Sequence, residues 1–330
     1  MSAANWQAGH RAAHRCAGDA AYNGAVIDRR FGIFLVIAWL AFATGCSKVL
    51  NTGQSPIKAK NPADLQTYLL KRKPELDQFR LRGPFEVTVQ DGFEIRLSTR
   101  ELIDTDLYLS KHGEKAPLVI FMHGYDSSKE SHTHQALHVA SWGMHCISLT
   151  LPNHGPWVAN GRTLAKIVKF IHRWPEIVDG RIDIDKIILV GHSFGAAATA
   201  VALGEGAPAA GAILLDPAFE SAELPKLLRK ISVPVMVLGA DERVAQTLNR
   251  ENFYRFIRTG VYEVSIKDAT HEDAQYPSAF ATTTEDAQIT YASAITDAAF
   301  SLSLNGNFDY AWKSFSPAFT SGKLFNAKWK

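Results

Sequence analysis

The sequence has little cysteine and no excess of charge of either sign. Its 330 residues include three cysteines, Cys16, Cys46 and Cys146, which are too few for a disulfide framework. Lysine and arginine total 35 against 33 aspartate and glutamate residues, so no basic surface for nucleic acid and no acidic tail are indicated. A mean hydropathy of −0.08 excludes a polytopic membrane protein. Hydrophobic residues make up 46%, enough for a globular core.

An uncharged apolar stretch near the N-terminus is too short to cross a bilayer. Phe31–Gly45 comes directly after Arg29 and Arg30. Fifteen helical residues extend about 22 Å, against roughly 30 Å for the hydrocarbon core. A basic pair, an apolar stretch and small residues, in that order, are typical of a secretory signal. A short anchor helix, or a core helix with an incidental cysteine, is the alternative.

The end of this stretch, Ala43–Cys46 (ATGC), resembles the bacterial lipobox. The resemblance implies that residues 1–45 are a lipoprotein signal peptide and that Cys46 is lipidated. It also implies a protein that is lipid-anchored in the bacterial cell envelope. Ser47 replaces the aspartate that is associated with inner-membrane retention, which favours the outer membrane, at its periplasmic face or surface.

The rest of the chain predicts one tether and one domain. Residues 46–60 are polar and read as a tether, and residues 61–330 are expected to fold as a single domain. Phe85–Val89 and Phe93–Leu97 alternate on either side of an Asp-Gly pair, which predicts a β-hairpin. Continuous apolar runs, separated by segments of helical length, follow at Leu118–Met122, Cys146–Thr150, Ile187–Val190, Ala212–Leu215, Val233–Leu238 and Val261–Ile266. Such runs are typical of buried parallel strands, so the sequence predicts an α/β fold with a doubly wound, mostly parallel sheet that is antiparallel at its start.

A glycine-rich pentapeptide follows one of these runs. Gly191–Gly195 (GHSFG) stands directly after Ile187–Val190 and before an alanine-rich segment. This is the strand–turn–helix context that the G-x-S-x-G motif requires. The turn holds its serine in a strained backbone conformation, and the glycines avoid clashes with its neighbours. Ser193 is therefore the predicted nucleophile, and a glycine-rich turn with an incidental serine is the alternative.

A serine nucleophile needs a general base and two backbone donors for the oxyanion. His271 is the only histidine downstream of Ser193 in the sequence, and the order of residues in this motif class puts the base downstream. The predicted oxyanion donors are the amides of Phe194, next to the serine, and of Tyr125, in the loop after an earlier apolar run. His123 in that loop is expected to brace it rather than to act as a base.

Two carboxylates compete for the role of the acid that orients His271. Asp216 ends an apolar run, and Pro217 fixes the turn that aims it. Asp241 ends another run, beside Glu242. Both lie at the carboxyl ends of strands expected near the nucleophile. We expect Asp216 to be the acid, with Asp241 as the alternative.

From about Asp91 to Leu304 the sequence resembles the α/β-hydrolase superfamily. Within it, the chain is similar to the lidless group of platelet-activating-factor acetylhydrolases, chlorophyllases and polyester-degrading cutinases. The segments that carry the resemblance are His123–Tyr125, Gly191–Gly195, Leu215–Pro217 and Ala269–His271. The resemblance implies a serine carboxylester hydrolase that forms an acyl-enzyme and needs no cofactor. The acid of acetylhydrolases and chlorophyllases corresponds to Asp216, and that of cutinases to Asp241.

Two other classes of function remain as alternatives. One is an amidase, peptidase or thioesterase with the same triad. The other is a binding lipoprotein that keeps the fold without catalysis, although such a protein is expected to have lost its nucleophile or its histidine. Both Ser193 and His271 are present.

The length of the connection that follows Asp216 also bears on the substrate. Only residues 217–232 separate Asp216 from the next apolar run, too few for a cap domain. An open site suits a small-molecule, lipid or polyester ester. Tyr125, Trp157 and Phe219 are the predicted apolar walls, with ordinary core packing as the alternative.

Neither a metal nor another cofactor is predicted. Three histidines, at positions 132, 134 and 138, lie close together, but the first two face apart on a helix. No carboxylate or cysteine joins them at ligand spacing. The expected partners are therefore the ester substrate and the membrane that holds the lipidated N-terminus, and the oligomeric state stays open.

Overall fold

The computed structural model describes residues 53–152, 157–218, 221–241, 250–258, 260–276 and 285–330. The predicted signal peptide and Cys46 lie outside these ranges. The described part of the predicted tether already contacts the domain, since the Ser55 N–H donates to Arg82 O at 2.7 Å. No helix in the described ranges has the length and apolar character that a membrane span requires.

The β-strands of the described residues form one nine-stranded sheet. The strands are β1 (Val87–Arg96), β2 (Leu102–Ser110), β3 (Ala116–Met122), β4 (His145–Leu149), β5 (Ile182–His192), β6 (Gly211–Leu215), β7 (Val235–Gly239), β8 (Val261–Ile266) and β9 (Leu324–Trp329). Their order across the sheet is β1-β2-β4-β3-β5-β6-β7-β8-β9. Strands β3 to β8 are parallel, while β1, β2 and β9 pair antiparallel at the two edges. The predicted mostly parallel sheet with an antiparallel start is confirmed.

Helices cover both faces of this sheet. They are α1 (Pro62–Leu70), α2 (Thr133–Ser141), α3 (Trp157–Arg173), α4 (Phe194–Gly204), α5 (Leu224–Leu228), α6 (Glu251–Phe256), α7 (Glu285–Asn305), α8 (Asp309–Ser314) and α9 (Ser316–Thr320). Residues of α1, α2, α7 and α8 share one buried apolar cluster with the sheet, and residues of α3 to α6 share the other. The described residues between β6 and β7 contain one short helix, α5, in agreement with a chain too short there for a cap domain.

Side chains of the central strands are buried on both faces. Along β3, Val119 and Phe121 join one apolar cluster, and Leu118 and Ile120 join the other. Burying each such side chain contributes about 1.5–3 kcal/mol, which is why these strands appear in the sequence as continuous apolar runs. The free thiol of Cys146 lies in β4 inside this core, and burial raises its pKa well above the usual value. Cys146 is therefore an apolar core residue.

The predicted hairpin over residues 85–97 is wrong. Both halves belong to β1, which pairs along its length with β2, and the register shifts between Gln90 and Phe93. Asp91 and Gly92 therefore form a bulge instead of a turn. Gly92 has a φ of +67°, and its N–H donates to the Asp106 carboxylate at 2.9 Å, so a buried side chain of the neighbouring strand holds the bulge in place.

Helix α4 is alanine-rich, and this allows a close helix crossing behind the candidate nucleophile. A Cβ added at Gly161 in α3 would come within 2.4 Å of Val201 Cβ and 2.6 Å of Ala198 O in α4. Only a residue without a side chain fits there. The contact fixes the axis of α4 and hence the residue that precedes it, Ser193.

Candidate active site

Ser193 lies in a sharp turn between β5 and α4. Its φ of +55° and ψ of −124° fall in a region that residues with side chains rarely adopt. Gly191 and Gly195 make the turn possible. A Cβ at Gly191 would come within 2.5 Å of both Gly195 O and Thr199 Oγ1, and a Cβ at Gly195 within 2.1 Å of His123 O. Ser193 precedes the helix as its N-cap but makes no side-chain capping bond to α4 in the described structure.

The loop after β3 passes directly over this turn. His123 is buried, accepts a hydrogen bond from the Leu151 N–H at Nε2 (3.0 Å) and donates from Nδ1 to Gly124 O (2.7 Å). It braces the loop, as predicted. A Cβ at Gly124 would lie 3.2 Å from Ser193 Cβ, so the backbone that leads to Tyr125 runs beside the serine.

His271 begins a one-turn 3₁₀ helix after β8, His271–Ala274. Asp273 caps this turn, because its Oδ2 accepts bonds from the N–H and the hydroxyl of Thr270, both at 2.8 Å. A residue in the turn at Ser193 also holds the backbone of His271 in place. His192 Nε2 donates to His271 O at 3.0 Å, and the two imidazole rings lie 4.5 Å apart. The histidine is thereby placed next to the Ser193 turn.

Asp216 lies at the end of β6 and faces His271. Its Oδ2 is 2.6 Å from His271 Nδ1, a short contact in keeping with a charge-assisted hydrogen bond. The aspartate is buried and has a φ of +37°. Its N–H donates to Leu238 O in β7 at 2.8 Å, which anchors it to the neighbouring strand.

The pKa values of Asp216 and His271 are shifted in opposite directions. Burial acts to raise the pKa of Asp216, but the hydrogen bond and charge of His271 and the charge of Arg250 outweigh it and hold the pKa at about 2. Burial acts to lower the pKa of His271, and the hydrogen bond and charge of Asp216, with a smaller effect of Glu272, raise it above 6.5. Asp216 is thus ionised at neutral pH, and His271 is able to take up a proton beside it.

Asp241, the alternative acid, lies at the end of β7 and is also buried. Its Oδ2 accepts from the Asp268 N–H at 3.1 Å, and its own N–H donates to Ala269 O at 2.9 Å. These bonds fasten β7 to the loop that carries His271. The structure brings Asp216, and not this carboxylate, to His271 Nδ1.

Arg250 was not predicted from the sequence. Its guanidinium donates to Asp216 Oδ1 from Nη1 at 2.9 Å, on the side of the carboxylate away from His271. The two residues are 34 positions apart, and Arg250 follows an acidic and polar stretch that carries no motif. The sequence contains no signal from which this contact could have been found.

The predicted apolar walls fall into three different settings. Tyr125 is 46% exposed, and its ring contacts that of Phe194 edge-on at 6.2 Å. Trp157 stacks on Phe194 at 5.8 Å but is itself buried, so it supports the wall and does not form its surface. Phe219 lies outside the described residues.

The three neighbouring histidines each have their own protein contacts. His132 Nε2 lies 3.2 Å from Met122 O, and His138 Nε2 lies 2.8 Å from Phe79 O. His134 packs edge-on against Tyr276, with their ring centres 4.3 Å apart. Burial lowers the pKa of each to about 4. Among the described residues, no three histidine, cysteine or acidic side chains are grouped so that they could hold a metal ion.

A sequence comparison supplies the family. The model of a family described as "Alpha/beta hydrolase family" matches residues 119–318, which is more than half of the chain. The chain belongs to the α/β-hydrolase family. No curated protein matches it. The matched residues of this α/β-hydrolase include Ser193, Asp216 and His271, and membership of the family indicates that the protein is a hydrolase.

Proposed function

We propose that this α/β-hydrolase is a serine carboxylester hydrolase with Ser193, His271 and Asp216 as its triad. The observation that carries the proposal is the 2.6 Å contact between His271 Nδ1 and Asp216 Oδ2, next to a serine whose backbone is strained. A buried, ionised aspartate fixes the tautomer of the imidazole, so that Nε2 is free to accept a proton. The strained turn presents the serine hydroxyl at the helix N-terminus.

The proposed reaction has two halves. His271 Nε2 takes the Ser193 proton while Oγ attacks the ester carbonyl, and the Tyr125 and Phe194 amides donate to the oxyanion. Collapse of this intermediate breaks the bond to the alcohol, which leaves with the proton from His271. Water then attacks the acyl-enzyme by the same route and releases the acid and free Ser193.

The raised pKa of His271 sets the expected pH dependence. The base must be neutral to accept the serine proton, so activity is lost as pH falls through this pKa. The acid limb of the rate profile is therefore expected above pH 6.5, the ordinary value for histidine.

An ester with an apolar acyl or alcohol group is the proposed substrate. The exposed ring of Tyr125, backed by Phe194, offers an apolar surface next to the serine. The short connection between β6 and β7 leaves no length for a cap domain there. A lipid or polyester ester fits such a site, in keeping with the resemblance to acetylhydrolases and cutinases and with the predicted lipid anchor at Cys46.

Labelling with a fluorophosphonate probe tests this proposal. The wild-type protein is expected to react with loss of fluoride and to gain one phosphonyl group on Ser193, whereas Ser193→Ala stays unlabelled. Ser98→Ala, at an exposed serine in the β1–β2 connection, is the matched control and should label normally. A panel of ester, thioester and amide substrates then defines the bond. A wild-type protein that resists the probe and leaves every ester intact would exclude a serine esterase, and faster cleavage of amides or thioesters would reassign the reaction.

A further inference from the structure

The two oxygens of the Asp216 carboxylate have different partners. Oδ2 faces His271 Nδ1. Oδ1 accepts two hydrogen bonds, one from the Ala240 N–H at 3.1 Å and one from Arg250 Nη1 at 2.9 Å. The backbone amide belongs to the end of β7, and the arginine stands just before α6. Two elements of the fold thus fix the rotation of the carboxylate about its Cβ–Cγ bond.

The structure builds a specific position for the Arg250 side chain. Only 3% of the side chain is exposed. Nη1 also donates to Ala240 O at 2.7 Å, and Nη2 donates to Ser265 Oγ at 2.9 Å. A Cβ at Gly239 would lie 2.3 Å from Arg250 Nη1, so the guanidinium rests directly on the backbone of β7. Lysine, with one compact ammonium group, cannot reproduce this set of contacts.

The charge of Arg250 is balanced on its other side by Glu263. Arg250 Nε lies 3.8 Å from Glu263 Oε1, and Glu263 is buried in β8. Glu263 Oε2 lies 3.2 Å from Lys328 Nζ, and the two residues are register partners of β8 and β9. Charges of alternating sign therefore extend from the His271–Asp216 pair to Lys328, which is 42% exposed at the sheet edge.

We propose that Arg250 is a positioning residue for Asp216, and that the charge of Glu263 partly offsets the charge of Arg250. Arg250 holds Oδ1 so that Oδ2 stays directed at His271, and its charge keeps the carboxylate ionised inside the core. The inference rests on the proposed function, since it assigns a role within that triad. It adds a residue outside the sequence motifs of the site.

The proposal predicts opposite changes in the protonation of His271 when Arg250 and when Glu263 is neutralised. Removing the cation at Arg250 leaves the charge of Asp216 less compensated, so protonation of His271 becomes more favourable. Neutralising Glu263 leaves the cation less compensated, and protonation of His271 becomes less favourable. The other titratable groups that interact with the Asp216–His271 pair are His192, Glu272 and Tyr291, with Asp273 beside Tyr291, and they stay unchanged in both variants.

The test measures the rate of fluorophosphonate labelling between pH 5 and 9 in full-length protein. Arg250→Met is expected to move the midpoint of the acid limb up by about one pH unit and to slow labelling at its optimum by up to about 100-fold. Glu263→Gln is expected to move the midpoint down. Arg250→Lys should keep the midpoint within a few tenths of a unit of wild type but label slowly, because it keeps the charge and loses the geometry.

Arg181→Met is the matched control. Arg181 pairs with Asp179 at 2.6 Å just before the amino end of β5, whereas Ser193 follows the carboxyl end of that strand, so loss of Arg181 should leave the labelling profile unchanged. Arg250→Met with a wild-type midpoint and rate would overturn the inference. If Arg250→Met does not fold, Glu263→Gln and Arg250→Lys test the inference in its place. Wild-type labelling profiles for both of these variants would overturn the inference. A wild-type protein that does not label at all refutes the proposed function instead.

Discussion

Ser193 has a backbone conformation that glycine adopts without cost. Its φ of +55° with ψ of −124° is the mirror image of an extended residue. Both Ser193→Ala and Ser193→Gly should be inactive, because both lack the proposed nucleophile. We expect Ser193→Gly to be more stable than Ser193→Ala by about 1 kcal/mol, since only alanine keeps the strain. Urea unfolding of the two variants measures the difference, and equal midpoints would show that the strain does not exceed the entropic advantage of alanine over glycine.

The choice between the two acids is tested by two isosteric substitutions. Asp216→Asn removes the partner of His271 Nδ1 and is expected to lower kcat by about 10⁴-fold, as loss of a triad aspartate does in serine proteases. Asp241→Asn keeps an oxygen that can accept from the Asp268 N–H, so it should cost less than about tenfold. Steady-state ester hydrolysis ranks the two. The reverse order would place the acid after β7.

Sequence reasoning reaches some residues of this site and not others, for a physical reason. Ser193 is marked by the glycines that its strained turn requires, and His271 is the only downstream histidine. The choice of Asp216 over Asp241 rested on the stiffness of the turn at Pro217, and the structure places Asp216 at His271. Arg250 could not be found, because its contact depends on where separate strands end in space and leaves no local pattern.

At the level of elements, the sequence predicts buried strands well and edge strands poorly. Central strands are buried on both faces, so burial alone makes them continuous apolar runs. Strand β9 (LFNAKW) lies at the sheet edge, mixes polar and apolar residues, and contains Asn326 at a φ of +52°. The bulge in β1 carries the same Asp-Gly pair as a tight turn, and only its pairing with β2 distinguishes the two.

One buried acid lies at the contact between α7 and α8. Asp297 in α7 accepts a hydrogen bond from the Ser314 hydroxyl in α8, and burial raises its pKa from 3.8 to about 7 against the smaller effect of that bond. The unfolded chain releases this proton as pH rises through 3.8, whereas the folded protein keeps it until about pH 7. The stability contributed by the neutral acid is therefore full below pH 3.8 and is lost as pH rises through about 7.

Asp297→Asn should remove this pH dependence. At pH 7.5 we expect the variant to be more stable than wild type by on the order of 2 kcal/mol, and near pH 4 the two should be nearly equal. Urea unfolding at both pH values gives the comparison. Asp309→Asn, at an exposed aspartate on α8, is the control and should track wild type. An Asp297→Asn variant that is less stable than wild type at pH 7.5 would show that burial does not raise the pKa of this carboxylate.

For the whole molecule, we propose that the protein reaches a membrane through Cys46, which lies outside the described residues. A bacterium that expresses the protein in the presence of an alkyne fatty acid should attach the label to the wild type and leave Cys46→Ser unlabelled. Cys146→Ser removes the buried thiol of β4 and should label like wild type. Label on Cys46→Ser would place the lipid elsewhere, and an unlabelled wild type would refute the lipoprotein signal.

The crossing of α3 and α4 limits how this enzyme can be re-engineered. Gly161, Gly191 and Gly195 each leave less than 3 Å for a new Cβ, and their neighbours are backbone atoms or the branched side chains of Val201 and Thr199. A mutant library that randomises these positions will consist largely of misfolded protein. Tyr125, nearly half exposed, can accept many side chains without disturbing that scaffold. Diversity aimed at a new substrate preference therefore belongs at Tyr125, with the three glycines held constant.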